Sequence, residues 1–249
     1  MISVCLASYN GESFIAEQLN SILEQLSDKD ELIISDDGST DRTISIIKQF
    51  NDKRIRLFCH PEKKGVNKNF ETALKQARGH VIFLADQDDI WEKEKIRIME
   101  RYLTDYDLVV SDCSIIDLNG KITFDSFYAL RRSGRGIFKN IRQNTYMGCC
   151  MAFQRKILDK AIPLPANVPL HDWWIGLVAE VFGITCFCPE KLVRYRRHGK
   201  NKTPFAGQSQ FNFIDQVRFR KNLVCALFRV WVGGIYERNT DKKKGSTIL

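Results

Sequence analysis

The sequence predicts an α/β protein with a mostly parallel central sheet, flanking helices and a C-terminal helical appendage. The main observation is that short β-branched runs alternate with segments of helical periodicity through the first half of the 249 residues. A second is the composition, 44% hydrophobic and 27% charged, which is that of ordinary globular domains and not of disordered or repeat proteins. Finally, no run of about 18 apolar residues occurs, so we expect no membrane-spanning helix.

Five β-branched runs are the predicted strands of the first half: residues 2–7, 31–35, 55–59, 80–84 and 108–111. Between them, apolar residues recur at helical spacing, as Ile15 and Leu19 do on one face of the first helix. The second helix begins where Ser39-Thr40-Asp41 can cap it, and the third ends at Gly79. A fourth helix is predicted from about residue 92 to residue 102.

After Asp112, the alternation of β-branched runs with segments of helical periodicity becomes less regular. The remaining predicted elements are loop and hairpin at 113–147, strands at 147–153, 184–188 and 192–196, and helices at 172–182 and 211–236. We therefore predict one domain over residues 1–205, followed by a basic amphipathic helix and tail at 206–249.

The net charge of +8 is confined to the end of the chain. From Arg194 onward there are 13 Lys and Arg against 3 Asp and Glu, whereas the first 193 residues carry 25 basic and 27 acidic groups. A basic tail of this kind suits an anionic membrane surface or a diphosphate ligand, and it is also explained by a solvated helix that only keeps the protein soluble. No nucleic-acid-binding motif accompanies the charge, so we predict no nucleic-acid partner.

The start of the chain and its cysteines indicate the compartment. No basic segment precedes the first apolar strand, so we expect no signal peptide. The eight cysteines include no CxxC pair, and most lie among apolar neighbours. We therefore interpret them as reduced core thiols and predict a cytoplasmic protein.

Acidic residues directly follow two of the predicted strands. Asp36 and Asp37 come after the second strand, and Asp86 and Asp88 come after the fourth. Ligands of open parallel sheets bind at the carboxyl ends of the strands, so both clusters are expected at one rim. An Asp-x-Asp pair can hold Mg²⁺ or Mn²⁺ together with substrate phosphates. Either cluster alone is explained equally well by turn formation or helix capping, and it is the pair that favours a ligand site.

A third feature of this rim is Ser8-Tyr9-Asn10-Gly11 after the first strand. It is not a GxGxxG loop, which disfavours a dinucleotide site. Tyr9 could stack on a nucleobase, Asp37 could accept a hydrogen bond from a pyrimidine imide, and Asp36 would then shape the turn.

Four motifs occur in order along the chain: Ser8-Tyr9-Asn10-Gly11, Ser35-Asp36-Asp37-Gly38-Ser39-Thr40-Asp41, Asp86-Gln87-Asp88-Asp89-Ile90-Trp91 and His171-Asp172-Trp173-Trp174. Together they resemble the inverting family 2 glycosyltransferases of GT-A fold over about residues 1–200. The later Tyr195-Arg196-Arg197-His198-Gly199-x-Asn201 is similar to the bacterial rhamnosyltransferase-like branch. The resemblance implies a nucleotide-binding half at 1–112 and an acceptor-binding half at 113–205.

The resemblance also implies roles for individual residues. Those implied to bind the nucleotide are Ala7, Tyr9, Asn10, Asp37, Asn69 and Asp86, with Asp37 on the pyrimidine N3. Ala7 stands where many members have Thr, so a contact there would be made by backbone or be absent. Asp88 and His198 are the implied ligands of Mn²⁺ or Mg²⁺, and Asp172 is the implied general base, although it could also be a simple helix cap. Those implied to line the substrate cleft are Gly148, Cys149, His171, Trp173 and Trp174, although we expect one of the two tryptophans to belong to the core.

The implied activity is single-displacement transfer of a sugar, with inversion, from a nucleotide-diphosphate donor to a hydroxyl. We expect dTDP-rhamnose or a UDP-sugar as donor. The expected acceptor is a glycan or lipid-linked glycan of bacterial cell-surface polysaccharide biosynthesis, reached from a peripheral position on the inner face of the plasma membrane. Two alternatives stay open, a non-catalytic nucleotide-sugar-binding or scaffold protein and a sugar-nucleotide nucleotidyltransferase.

Overall fold

The first half of the chain forms the parallel part of the sheet in a computed structural model that describes residues 1–198 and 212–245. Its four strands are β1 (Ile2–Ser8), β2 (Glu31–Asp36), β3 (Ile55–Cys59) and β4 (Val81–Asp86). The helices that join them are α1 (Ile15–Leu23), α2 (Thr43–Gln49) and α3 (Val66–Gln76). All three neighbouring pairs of strands are parallel, in the order β3-β2-β1-β4. Each of these predicted strands is present to within two residues.

The second half extends the same sheet with mixed directions. Its strands are β5 (Ile90–Trp91), β6 (Leu108–Ile116), β7 (Ile122–Phe124), β8 (Met151–Gln154) and β9 (Thr185–Arg196). Its helices are α4 (Lys95–Tyr102), α5 (Phe127–Arg131), α6 (Ile137–Arg142), α7 (Arg155–Ala161), α8 (His171–Phe182) and α9 (Phe213–Gly245), with a 3₁₀ turn at Gly148–Cys150. The order continues β4-β8-β6-β9-β5, with β7 beside β6. Strand β8 is antiparallel to both its neighbours, whereas β6 and β9 are parallel.

The core lies on both faces of this sheet. All six residues of β2 and all nine of β6 are buried, in keeping with the unbroken apolar runs at 32–34 and 108–110, which do not alternate. Helix α1 buries Ile15, Leu19 and Ile22 against one face. Parallel strands covered by helices in this way direct their carboxyl ends to a common rim.

Three predictions for the second half needed correction. The predicted strand at 147–153 is a 3₁₀ turn followed by the four residues of β8. The two predicted strands at 184–188 and 192–196 are one strand, β9, whose pairing with β6 shifts register beside Asp112. Of the loop and hairpin predicted at 113–147, the hairpin is present as the end of β6 paired with β7, whereas the loop also contains two short helices.

The last helix, α9, confirms the helix predicted at 211–236 and continues to Gly245. Leu223 and Leu227 are buried on the side that packs against α6 and α8. The exposed large apolar residues of α9 are Ile214, Val217, Val224, Phe228 and Trp231. Within the described chain, no helix has the length and apolarity needed to cross a membrane. The predicted boundary at 205/206, the motif residues Gly199 and Asn201, and the final four residues lie outside the described residues.

Candidate active site

The sheet register places the carboxyl ends of β1, β2 and β4 side by side. Ala7 lies opposite Ser35 on one neighbouring strand and opposite Asp86 on the other. The next residue, Ser8, pairs with Asp36. The two acidic clusters predicted to share a rim therefore do so, on either side of β1.

The turn after β1 is held by its neighbours. Gln87 exchanges two hydrogen bonds with the backbone of Tyr9, accepting from its N–H at 2.8 Å and donating to its carbonyl at 3.0 Å. The ammonium group of Lys63 lies 3.8 Å from the centre of the Tyr9 ring. Asn10 has a φ of 49°, and its side-chain oxygen accepts the N–H of Thr40 at 2.8 Å. The ring of Tyr9 is thus presented at the rim by a fixed backbone.

The two carboxylates after β2 have different surroundings. Asp36 is buried and accepts the hydroxyls of Ser8 and Ser39, at 2.7 and 2.6 Å, so it shapes the turn as predicted. Asp37 accepts the backbone N–H groups of Lys64 and Gly65, at 2.6 and 2.9 Å. Both oxygens of Asp37 therefore already have a backbone donor, and its contact with a nucleobase stays a prediction.

Asn69 lies beneath the same rim. Its amide nitrogen donates to the carbonyl of Ser8 at 3.0 Å, and its side-chain oxygen is buried without a hydrogen-bond partner in the described chain. A buried amide oxygen without a donor is costly, so this atom marks a place where a ligand donor fits.

Asp86, Asp88 and Asp89 form an acidic cluster at the end of β4. Loss of hydration, followed by the charges of Asp88 and Asp172, raises the pKa of Asp86 to about 8. The same two causes, burial and the neighbouring carboxylates, hold the pKa of Asp89 well above its usual value. One oxygen of Asp89 accepts the N–H of Arg196, and its other oxygen has no partner in the described residues. Carboxylates crowded in this way repel each other until a cation or protons neutralise them.

His198 and Arg196 tie this cluster to the end of β9. The imidazole Nε2 of His198 lies 2.7 Å from a carboxylate oxygen of Asp88, and its ring stacks on Phe14 at 5.3 Å. Arg196 is buried, donates to the carbonyl of Asp88 at 3.0 Å and pairs with Glu17 at 2.5 Å. The predicted partnership of Asp88 and His198 is thus present in the geometry.

Asp172 lies in the first turn of α8. Its two oxygens accept the N–H groups of Trp173 at 2.6 Å and Gly148 at 3.1 Å, and the nearby side chain of Asn144 also favours its ionised form. Burial raises the pKa of Asp172 to about 6, although these hydrogen bonds oppose the increase. A carboxylate of that pKa is ionised at neutral pH and is still basic enough to accept a proton.

The residues predicted to line the cleft separate into two groups. His171 is buried, stacks on Phe70 at 3.8 Å, and neither of its ring nitrogens has a partner among the described residues. Burial lowers the pKa of His171 to about 3, so its ring is neutral. Gly148 lies against both His171 and Asp172: a Cβ there would be 3.2 Å from the imidazole. Cys149, next to it, is buried.

The two tryptophans belong to the core instead of the cleft. Trp174 has no exposed surface, and its indole N–H donates to the carbonyl of Ala161 at 2.8 Å. Trp173 is 8% exposed and donates to the carbonyl of Asn140 at 2.7 Å. Trp174 is thus held by α7 and Trp173 by α6, so both indoles anchor the helix that carries Asp172.

Three supporting residues were not predicted from the sequence. Lys95 is fully buried and donates to the carbonyl of Cys149 at 2.5 Å, with its ammonium 4.2 Å from the ring centre of Trp91. Arg196 and Asn144 were likewise not predicted. Arg196 stands inside the quoted Tyr195-Arg196-Arg197-His198 motif, which was a usable signal, whereas nothing in the local pattern distinguishes Lys95 or Asn144.

The donor set at this rim fits a divalent cation. Mn²⁺ accepts carboxylate oxygen and imidazole nitrogen, which are the two groups that meet between Asp88 and His198. A neighbouring group, Asp86, Asp89 and Cys149, has ligand atoms within 4.8 Å of one another, and the unpartnered oxygen of Asp89 belongs to it. Its thiol is a soft ligand, less suited to Mg²⁺ or Mn²⁺ than oxygen. Asp88 and His198, with Asp86, would therefore hold the ion.

The sequence profile described as Glycosyl transferase family 2 matches residues 3–162. The chain belongs to this family, and its class is that of the glycosyltransferase enzymes. The matched region contains Tyr9, Asp37, Asp86 and Asp88 and ends before α8. The resemblance noted in the sequence is thereby confirmed.

Two of the curated relatives are glycosyltransferases whose names state an activity. The UDP-Glc:alpha-D-GlcNAc-diphosphoundecaprenol beta-1,3-glucosyltransferase WfgD of Escherichia coli is 27% identical over 71% of this chain and 68% of its own length. The dTDP-rhamnosyl transferase RfbG of Shigella flexneri is 28% identical over 79% of this chain and 73% of its own length.

Two solved structures share the fold. S. aureus TarS 1-349 in complex with UDP-GlcNAc is 20% identical with a TM-score of 0.69, over 90% of this chain and 66% of that one. The mannosyltransferase PcManGT from Pyrobaculum calidifontis, in complex with GDP-Man and Mn²⁺, is 23% identical with a TM-score of 0.61, over 83% of this chain and 58% of that one. The chain thus spans about three fifths to two thirds of these structures, and the predicted GT-A fold is confirmed.

Proposed function

We propose that this protein transfers a sugar, with inversion, from a nucleoside diphosphate donor to a hydroxyl group of an acceptor. The observation that carries the proposal is that one rim joins Tyr9 and Asp37, the Asp86–Asp88 cluster with His198, and Asp172 with its raised pKa. Residues 1–112 would hold the nucleotide and residues 113–205 the acceptor. The orphaned oxygen of Asn69 and the ring of Tyr9 support a nucleoside at β1 and β2.

Asp172 would act as the general base. In the displacement, the acceptor oxygen attacks the anomeric carbon, its proton passes to the Asp172 carboxylate, and the bond to the nucleoside diphosphate breaks with its electron pair. The N–H groups of Gly148 and Trp173 orient the carboxylate. His171, neutral and unpartnered behind it, would orient a substrate hydroxyl.

Asp88 and His198, with Asp86, would hold Mn²⁺ or Mg²⁺ near the diphosphate. Bound there, the ion would supply positive charge against the charge that develops on the leaving group. The structural relative with bound Mn²⁺ supports this assignment.

For the donor and acceptor, we propose dTDP-rhamnose or a UDP-sugar and a lipid-linked glycan of bacterial cell-surface polysaccharide biosynthesis. The activities stated in the names of RfbG and WfgD support these classes of donor and acceptor. Both pyrimidines present the same imide edge, so Asp37 would accept either.

We also propose that α9 rests on an anionic membrane, peripherally on the inner face of the plasma membrane. Its exposed apolar residues adjoin the buried Leu223 and Leu227 on the helix surface, with Val224 three residues before Leu227 and Trp231 four residues after it. The exposed cations Arg218, Lys221 and Arg229 flank them. A basic amphipathic helix of this form binds anionic lipid through both contributions.

A thermal-shift panel of UDP, dTDP, GDP and CDP, each with and without Mn²⁺, tests the donor site. At a hundredfold excess over the dissociation constant, binding should stabilise the protein by about 2.7 kcal/mol, a rise of roughly 5–10 °C for a chain of this size. We expect a shift with UDP or dTDP that grows with Mn²⁺ and is lost in Asp88→Asn. Asp159→Asn, an exposed carboxylate on α7, is the matched control. No shift with any nucleotide would contradict the proposal and favour a scaffold.

Flotation with phosphatidylglycerol vesicles and with phosphatidylcholine vesicles tests the membrane surface. Wild-type protein should float with the anionic vesicles only, and Phe228→Ser with Trp231→Ser should abolish flotation. Ile184→Ser, which removes an exposed apolar side chain at the start of β9, should float like wild type. If the α9 double variant floats as well as wild type does, this face of α9 is excluded as the membrane-binding surface.

A further inference from the structure

The segment around α5 and α6 carries positive charge that the protein does not neutralise. Between Asp125 and Asp159 there are seven Lys or Arg and no Asp or Glu. Five of these cations lie on α5, α6 and the loop between them: Arg131, Arg132, Arg135, Lys139 and Arg142. None of the five is paired with a carboxylate of the described residues. The surface therefore has an excess of donors for an anion.

Arg131 is the least exposed of these five cations. It is half-buried, and burial alone lowers the pKa of its guanidinium from the usual value. Its Nη2 donates to the carbonyl of Asn144 at 3.2 Å, which uses one of the five N–H groups of the side chain. A partly desolvated cation without an opposite charge is costly, and an anionic ligand would remove that cost.

The loop at residues 131–136 is held in a defined shape. The side chain of Asn140 donates to the carbonyls of Gly134 and Gly136, at 2.9 and 3.1 Å. The N–H of Gly136, whose φ is +123°, donates to Glu180 at 2.8 Å. On the same loop, the hydroxyl of Ser133 is buried without a partner in the described chain. The loop is thus ordered before any ligand arrives and retains unused donors.

Asn144 connects this loop to the base. Its carbonyl accepts from Arg131, and its side chain lies close enough to Asp172 to lower the pKa of that carboxyl. An anion on Arg131 would therefore lie one residue away from the carboxylate that takes the acceptor proton. The leaving diphosphate of the donor is assigned to Asp88 and His198, which are not part of this loop.

We propose that Arg131 binds a phosphate group of the acceptor, so that the sugar receiving the new linkage is one joined directly to phosphate or diphosphate. This proposal rests on the proposed function. A guanidinium matches phosphate oxygens with two parallel hydrogen bonds. A sugar 1-phosphate carries its anionic oxygens and its hydroxyls on one ring, so a single molecule can reach both Arg131 and Asp172. A lipid diphosphate sugar and a free sugar phosphate share this chemistry.

The test is calorimetric titration of octyl phosphate and of glucose 1-phosphate into full-length protein saturated with UDP and Mn²⁺. Saturation occupies the donor's diphosphate site, so further phosphate binding reports the second site. We expect Arg131→Gln to weaken binding of octyl phosphate at least tenfold. Arg131→Lys keeps the charge without the planar fork and should show an intermediate loss. Arg101→Gln, an exposed cation on α4 without an ion pair in the described chain, should bind like wild type.

The outcomes separate the two proposals. If UDP fails to bind wild-type protein, the donor assignment fails, and the titration repeated without UDP still measures the phosphate site. If neither probe binds, or if Arg131→Gln binds octyl phosphate as tightly as wild type, the phosphate site is overturned. The phosphate site is also overturned if Arg131→Gln weakens the binding of UDP and the binding of octyl phosphate by the same factor. Tighter binding of octyl phosphate than of glucose 1-phosphate would identify a lipid phosphate, and the reverse would identify a free sugar phosphate.

Discussion

The two halves of the sheet bring their residues to the rim by different means. In the parallel half, Asp36 and Asp37 are held by donors at or beside neighbouring strand ends, such as Ser8, Ser39 and Gly65. In the mixed half, Asp172 depends on Gly148, and His198 reaches across to Asp88 at the end of β4, 110 residues away along the chain. Both sides use hydrogen bonds between segments distant in the sequence, such as Ser8–Asp36, 28 residues apart, and Gly148–Asp172, 24 residues apart. The nucleotide side is thus assembled within the parallel strands and their turns, whereas the reacting side also needs the 3₁₀ turn, α8 and the end of β9. Substitutions should therefore act differently on the two sides.

The largest effect is expected at Asp172. Asp172→Asn keeps the size of the side chain but removes the proton acceptor, so turnover should fall about 10²–10⁴-fold. Turnover is measured as release of the nucleoside diphosphate from the donor that the thermal-shift panel selects. Because the nucleotide site lies in the other half, UDP or dTDP affinity should stay within about threefold of wild type. Loss of affinity together with turnover would show that the halves are not separable, and Asp159→Asn controls for a change in charge.

The pH dependence of turnover should follow the same carboxylate. The base must be ionised, so turnover should reach a plateau above pH 6 and fall about tenfold per pH unit below it, since the pKa of Asp172 is about 6.

The stability of the fold should depend on pH in the opposite direction, because the same raised pKa favours the folded state at low pH. A pKa raised from 3.8 to about 6 stabilises the fold below pH 3.8 and loses that contribution as pH rises through 6. Asp172→Asn should therefore melt above wild type at pH 8, with the difference shrinking toward pH 4. A profile without an inflection near pH 6 would exclude Asp172 as the base.

Substitution of Arg196 tests how the parallel and mixed halves of the sheet are joined. Arg196→Met keeps much of the buried volume but removes the hydrogen bonds to Asp88 and Leu118 and the pair with Glu17. We expect a loss of about 3 kcal/mol in the free energy of unfolding, measured by urea denaturation. Arg101→Met, with an exposed side chain, should change it by less than about 0.5 kcal/mol. Equal losses in the two variants would mean that the rim is held together without Arg196.

The smallest effects are expected at two helical glycines. A Cβ on Gly176, in α8, would lie 2.5 Å from the ring of Tyr146, so Gly176→Ala should cost about 1–3 kcal/mol. Nothing lies within 4 Å of a Cβ on Gly233, in α9, so Gly233→Ala should stabilise by up to about 1 kcal/mol. Thermal melting measures both, and a change of the same sign in the two variants would contradict the difference in packing between α8 and α9.

Prediction from the sequence succeeded where structure is local. The strands of the parallel half were predicted because each is a β-branched run that must be buried on both faces. The acidic clusters were predicted to meet because parallel strands end at a common rim. The limits of β6 and β9 were missed because their final residues are extended only by pairing with each other. One of Trp173 and Trp174 was expected in the cleft, whereas both are buried, because a motif gives no direction for side chains on a helix that is apolar nearly all round.

The sequence by itself determined the α/β class, the rim that carries the carboxylates and the membership of glycosyl transferase family 2. Only the tertiary structure decided how the site is supported: Lys95 beneath Cys149, Arg196 across to Asp88, and Asn144 between Arg131 and Asp172. The physical reason is the range of the interactions. Periodicity and turn chemistry act within a few residues, whereas hydration loss, charge and hydrogen bonding at the rim depend on segments that only folding brings together.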